Sequence, residues 1–202
     1  MTIDRITYNF FNKGMTFEEF LKDATEDDRK RFLYYHDKSA KKHSTESFRI
    51  NLKYPINLLV LATTWCWDSQ TNLPILAHIA DHSPNINMRL MNKDHLPFMV
   101  TKVNNGEKVP QVLVFTEDFY YLDRWVERST RAYLLYAEYR KKFGWSEETK
   151  DEFVKQYRKA FLKHQIEIEK SVIKEIRALL TRADAISATT HRLAEAEGSC
   201  DE

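Results

Sequence analysis

The sequence predicts an α/β sandwich carried between two helical extensions. Three observations lead there. Short β-rich runs are confined to the middle of the chain, at 56–62, 86–90, 112–115 and 119–125. Helical spacing separates the first three of them, at 68–81 and 95–104. The segments before 50 and after 129 are charged and periodic, as amphipathic helices are. The order strand, helix, strand, helix, strand, strand is a β-α-β unit followed by a hairpin, the plan of a layered α/β domain. On this reading 1–50 is an N-terminal helical extension and 51–128 the core. Residues 129–182 are C-terminal helices packing on that core, and 183–202 are a flexible tail.

Each element has its own reason. Thr16-Phe17-Glu18-Glu19 is a capping box, because Thr16 can accept from the backbone while Glu19 reaches back. A second helix starts at Thr25, carries Phe32, Leu33 and Tyr35 inward, and ends exposed at Lys41-Lys42. Ile56 to Ala62 is a buried strand. In 68–81, Leu73, Leu76, Ala77 and Ala80 share a face, and Pro74 is expected to kink the helix. Ile86 to Leu90 alternates like a strand. Pro110 opens the strand Val112-Leu113-Val114-Phe115, and a tight turn leads to the strand from Phe119 to Trp125. Tyr133, Tyr136, Tyr139 and Phe143 recur at helical spacing. Gly144 ends that helix and Ser146 caps the next. A stripe then runs through Phe153, Tyr157, His164, Ile168, Val172, Ile176 and Leu179. Unbroken, it would be about 50 Å long at the helical rise, more than the core can cover. The stripe is expected to meet the N-terminal helices, where Phe17, Phe20, Phe32 and Leu33 need a counterpart. A break near His164-Gln165, or a homodimer through the C-terminal helices, is the other way to cover it.

Composition narrows the function classes. A net charge of +1 over 202 residues removes the basic excess of a nucleic-acid binder. No apolar run is long enough to span a bilayer, and Met-Thr-Ile-Asp-Arg at the start has no signal-peptide character. Two cysteines, Cys66 and Cys200, build no disulfide framework. The expectation is a cytoplasmic protein with reduced thiols, bound neither to nucleic acid nor to membrane.

The chemistry-bearing segment is Thr63-Thr64-Trp65-Cys66-Trp67-Asp68-Ser69. Cys66 falls between a buried strand and a helix N-terminus, where unpaired N–H groups and the helix dipole favour a thiolate. An inert structural cysteine is the alternative. Lys108-Val109-Pro110-Gln111 puts a proline just before a strand. In the cis form it would turn the Val109 backbone toward the thiol; an ordinary trans loop proline is the alternative. Asp68 is read as a structural helix cap. His78 and His82 could share a metal from one helix face but lack a third ligand, so they are read as solvated. Cys200 could swing to Cys66 as a distant resolving thiol, although an idle terminal cysteine is the simpler reading.

Together these residues resemble the thioredoxin superfamily: a strand, Trp65-Cys66-x-x-Ser69 opening a helix that contains Pro74, then Val109-Pro110 and a hairpin. They are similar to bacterial thioredoxin-like proteins with a Trp-Cys-x-Asp-Ala/Ser motif. Phe17-Glu18-Glu19-Phe20 and Asp123-Arg124-Trp125 extend the likeness over about residues 10–180. The resemblance implies a thioredoxin-like three-layer sandwich with helical N- and C-terminal extensions. Two departures matter. Ser69 stands at the resolving-cysteine position, and Val60 stands where the family places a buried aspartate. The resemblance then implies monothiol thiol–disulfide exchange, with Cys66 as nucleophile and Ser69 hydrogen-bonding its sulfur. Trp65, Trp67 and Pro110 would shape the groove, and Val109 would offer its backbone to an extended substrate. The partner would be a protein or a low-molecular-weight thiol or disulfide, with no metal and no cofactor. A redox-silent binding or adaptor module is the alternative.

Overall fold

The computed structural model describes residues 6–95 and 108–198, with side chains as far as Thr189. Four helices come first: α1 (Tyr8–Phe11), α2 (Phe17–Lys22), α3 (Glu26–Lys42) and α4 (Thr45–Phe48). The central part holds β1 (Ile56–Ala62), α5 (Trp67–Asp81), β2 (Ile86–Asn92), a 3-10 turn (Lys93–His95), β3 (Gln111–Thr116) and β4 (Tyr121–Val126). Three helices close the chain: α6 (Thr130–Phe143), α7 (Lys150–Lys163) and α8 (Gln165–Gly198). The helix expected at 95–104 lies, apart from His95, outside the described residues.

The sheet runs β2-β1-β3-β4. β1 is parallel to β2 and antiparallel to β3, and β3 pairs antiparallel with β4. All seven residues of β1 are buried, so both faces of the sheet are covered. Leu58, Val60 and Ala62 look into the main core, with Leu73 and Leu76 of α5 and Phe32 of α3. Leu59 and Leu61 join Leu113, Phe115, Phe11 and Ile6 on the opposite face. The α/β sandwich with helical extensions is the observed architecture.

The capping box forms as the sequence requires. Thr16 Oγ1 accepts from the Glu19 N–H at 3.2 Å, and Glu19 Oε2 accepts from the Thr16 N–H at 2.8 Å. On α3, Phe32 and Tyr35 are buried but Leu33 is 45% exposed. The buried stripe is set by Phe32, Tyr35 and Ser39 at helical spacing, which turns the neighbouring Leu33 outward. α5 runs through Pro74 as one helix, with every residue from Asp68 to Ile79 buried; packing on both sides holds the backbone where the proline cannot donate.

The C-terminal stripe breaks at His164, between α7 and α8. Its two halves have different partners, so the expected packing on the N-terminal helices is found for one half and not for the stripe as a whole. Phe153, Tyr157 and Phe161 of α7 pack on Ala132 and Leu135 of α6. Val172, Ile173, Ile176 and Leu180 of α8 enter the main core with Val112, Trp125, Phe20 and Phe32. The α8 half therefore meets the N-terminal extension. α8 also continues to Gly198, where the sequence reading placed a flexible tail from 183. Ala183 and Ser187 remain buried, and the alanines at 178, 183, 185, 188, 194 and 196 favour helix.

Candidate functional site around Cys66

The C-terminal end of β1 and the start of β3 are register partners at Leu61 and Gln111. That pairing brings together the segments that follow one and precede the other. Cys66 caps the N-terminus of α5 and is half-buried. The Val109–Pro110 peptide is cis, and the Cys66 thiol donates to the Val109 carbonyl at 3.6 Å. Cys66, Val109 and Pro110 are thus in one place, as the spacing predicted.

The two tryptophans part company. Trp65 is 61% exposed and its indole N–H donates to Asp94 Oδ2 at 2.8 Å, so its ring stands on the open surface beside Cys66. Trp67 turns inward. Its ring meets Tyr35 of α3 and Phe161 of α7 edge-on at 5.7 and 5.8 Å, and the Arg158 guanidinium lies over its face at 4.8 Å. Ser69 is fully buried; its hydroxyl makes no hydrogen bond to a neutral neighbour and is placed to donate to the Cys66 sulfur when that sulfur is ionised.

Burial pushes the Cys66 thiol above its ordinary range, and the nearby Asp68 carboxylate pushes the same way. Backbone N–H groups of Ser69 and Asp68 and the Ser69 hydroxyl act against this, as the dipole argument requires, but burial outweighs them. Donating its proton to the Val109 carbonyl also favours the neutral thiol.

Asp68 is not the helix cap, because Cys66 holds that position. It lies in the first turn, buried, with Oδ2 accepting from Arg128 Nη2 at 2.6 Å. Its Oδ1 has no partner. Burial raises its carboxyl to about 6, against the pull of Arg128. Arg128 Nη2 also donates to Glu127 Oε1 at 2.7 Å. Glu127 Oε2 accepts from the Tyr133 hydroxyl at 2.6 Å and pairs with Lys108 Nζ at 2.9 Å. The Glu127 backbone, in the left-handed region at φ 65°, donates to the Pro110 carbonyl at 2.7 Å and accepts from Asn72 Nδ2 at 3.0 Å. One charged network therefore ties the start of α5 to the cis-proline loop. Sequence reasoning missed it. The available signal was position: Asp68 is two residues past Cys66, Lys108 two before Pro110, and Glu127 two past Trp125.

His78 corrects another expectation. It is buried, its ring stacked between His36 at 4.0 Å and Phe48 at 4.8 Å, with Nε2 3.0 Å from the His36 carbonyl. Among the described residues no group of three His, Cys, Asp or Glu could hold a metal ion. No described helix is long and apolar enough to cross a membrane. Cys200 lies outside the described residues.

The family model for thioredoxin matches residues 14–140, well over half of the chain. A protein of unknown function from Pseudomonas aeruginosa has a similar solved structure, with TM-score 0.64 and 20% identity over 88% of this chain and 99% of that one. An HIV epitope-scaffold is similar at TM-score 0.62 and 20% identity, over 87% of this chain and 98% of its own. At that identity the likeness speaks for the fold. No curated protein matches.

Proposed function

The chain belongs to the thioredoxin family, and on that premise we propose that it carries out thiol–disulfide exchange by a single-cysteine mechanism at Cys66. The observation that supports this most is the placement of Cys66 Sγ at the start of α5, 3.6 Å from the carbonyl of the residue before the cis proline. In the first step the Cys66 thiolate attacks one sulfur of a substrate disulfide. The substrate S–S bond breaks, a mixed disulfide forms, and the second substrate sulfur leaves as a thiolate. An outside thiolate then attacks the substrate sulfur of the mixed disulfide, forms a new disulfide with it, and Cys66 leaves as a thiolate. Ser69 stands where a second thiol would otherwise resolve the bond from inside. A thiol held above its ordinary range is a slow leaving group, so the mixed disulfide on Cys66 is long-lived. Val109 would pair with an extended substrate, the exposed Trp65 would form one wall of the groove, and Trp67 would hold the start of α5 from behind. A protein or low-molecular-weight thiol or disulfide in a reducing compartment, the cytoplasm, suits this cycle.

One observation favours a second reading. A thiol pushed up by burial is mostly protonated near neutral pH, which suits a redox-silent binding module using the same groove. Oxidised glutathione at pH 8 separates the two in a Cys200→Ser background. Exchange predicts one adduct by intact mass, located on Cys66, reversed by dithiothreitol and absent in Cys66→Ser. A folded protein that takes no adduct overturns exchange and leaves the binding module.

A further inference from the structure

Asp68 and Arg128 are 60 residues apart in sequence and meet beside the thiol-bearing turn, each side chain 10% exposed. Each has one side paired and another unused: Asp68 Oδ1 and Arg128 Nε have no partner. A buried carboxylate with an unused oxygen keeps much of its desolvation cost, so this pair is poorly built as a strut. Its position is better explained by what it does to its neighbour.

We propose that the buried Asp68–Arg128 pair sets how readily Cys66 ionises, Asp68 opposing the thiolate from the first turn of α5 and Arg128 cancelling that opposition. Arg128 is then a positioning residue for the chemistry of Cys66, and Asp68 the charge it controls. The inference deepens the exchange reading, but the charge coupling itself stands on the burial of the pair and on Asp68 lying in the first turn of the helix that Cys66 caps.

Several groups face Arg128. Glu127 shares its Nη2 at 2.7 Å and in turn holds Lys108 and Tyr133. From α6, the Tyr136 ring lies 4.5 Å from the guanidinium and the Tyr133 ring 5.4 Å. From α7, the buried Tyr157 hydroxyl is held protonated, chiefly by its burial. Of these carboxyls, Asp68 is the one raised, to about 6, whereas Glu127 is lowered by Tyr133 and Lys108 against its burial. As pH rises through that value Asp68 gains its charge and works against the thiolate. The thiolate fraction of Cys66 should therefore climb less steeply there than an isolated thiol's tenfold for each pH step of one.

The test is the rate at which iodoacetamide alkylates Cys66 between pH 5 and 9.5, in the full chain with Cys200→Ser. Asp68→Asn should raise the rate at pH 7.5 by about tenfold, the change in thiolate fraction when a thiol pKa falls by about one, and remove the shoulder near pH 6. Arg128→Gln removes the cation that restrains the Asp68 carboxyl from rising further, so the shoulder should move to higher pH. Arg128→Lys should stay near the parent, because the charge survives. Near-UV circular dichroism checks the fold; if Arg128→Gln does not fold, the Asp68→Asn and Arg128→Lys profiles decide. An Asp68→Asn protein with the parent's rate and profile overturns the proposal. The glutathione adduct separates the two ideas. If Asp68→Asn changes alkylation but no form takes the adduct, exchange falls and the coupling stands. If the adduct forms and Asp68→Asn changes nothing, the coupling alone falls.

Discussion

Two carboxylates of this protein are buried to a similar depth, Glu169 at 3% exposure and Asp68 at 7%, and their surroundings differ. Glu169 lies in the seam between α8 and α3. Its Oε1 accepts from Gln165 Nε2 at 2.6 Å and Ser39 Oγ at 3.2 Å, and its Oε2 lies 2.7 Å from His43 Nε2. Both oxygens are used. Asp68 uses one, on Arg128, and leaves the other unpaired, two residues along the chain from Cys66. A buried carboxylate that is fully hydrogen-bonded can hold two elements in register; one that is half satisfied carries a cost that packing elsewhere must offset. The first joins the two helical extensions across 126 and 130 residues of chain. The second sits at the thiol.

The largest effect that could break this contrast is at Glu169. Glu169→Ala removes the acceptor that three buried groups share. The expected loss is about 3–5 kcal/mol, the usual cost of breaking a buried pair from one side, read from urea unfolding at pH 7. A loss below about 1 kcal/mol would mean that the seam is held by Val172, Ile176 and Leu180 alone, and Glu169 would then be no strut.

Asp68→Asn should move stability the other way, and by less. The folded carboxyl titrates at about 6, above its ordinary 3.8. The unfolded chain therefore releases this proton first as pH rises. The contribution of Asp68 is fully present below about pH 3.8 and is lost as pH climbs through 6. Asparagine, always neutral, escapes that loss. The variant should be more stable than the parent at pH 7 by about 1–3 kcal/mol, the free-energy equivalent of that rise in the carboxyl pKa, and equal to it near pH 4. A variant less stable at pH 7 would show that Asp68, like Glu169, serves chiefly to hold the structure.

The contrast also separates what was legible in the sequence from what was not. Local rules carried the first part. A capping box at Thr16, an apolar run at β1, and a cysteine and a proline flanking strands each act over a few residues, and each is found as expected. The break at His164 is the alternative to the favoured packing on the N-terminal helices, and it arises where the stripe outruns its cover. Leu33 was misplaced because its neighbours Phe32 and Tyr35 define the buried face, and neighbouring positions on a helix do not share one. Both carboxylate networks were missed for one physical reason. Asp68 with Arg128, and Glu169 with His43 and Ser39, are brought together only by tertiary packing over 60, 126 and 130 residues of chain, which no local pattern reveals. Asp68 was mistaken for a cap because aspartate is common there, while the cap position itself belongs to Cys66.

Ser69 supplies the smallest and most selective test. Its hydroxyl is fully buried without a partner, like the free oxygen of Asp68, yet unlike that oxygen it favours the thiolate. A hydroxyl whose one favourable contact is with the ionised thiol should cost little to remove while the thiol is protonated. Ser69→Ala is therefore expected to leave stability unchanged or raise it by under about 1 kcal/mol, since an unsatisfied hydroxyl is replaced by hydrogen. Its effect on the thiol should be separate. The Ser69 backbone N–H remains to favour the thiolate, so only part of the stabilisation is lost. Alkylation at pH 7.5 should slow by about two- to threefold, less than the tenfold that a thiol pKa higher by one would give. Stability and reactivity measured on the same variant thus point in opposite directions. A variant that alkylates like the parent but unfolds more easily would give Ser69 a structural role and remove it from the chemistry of Cys66.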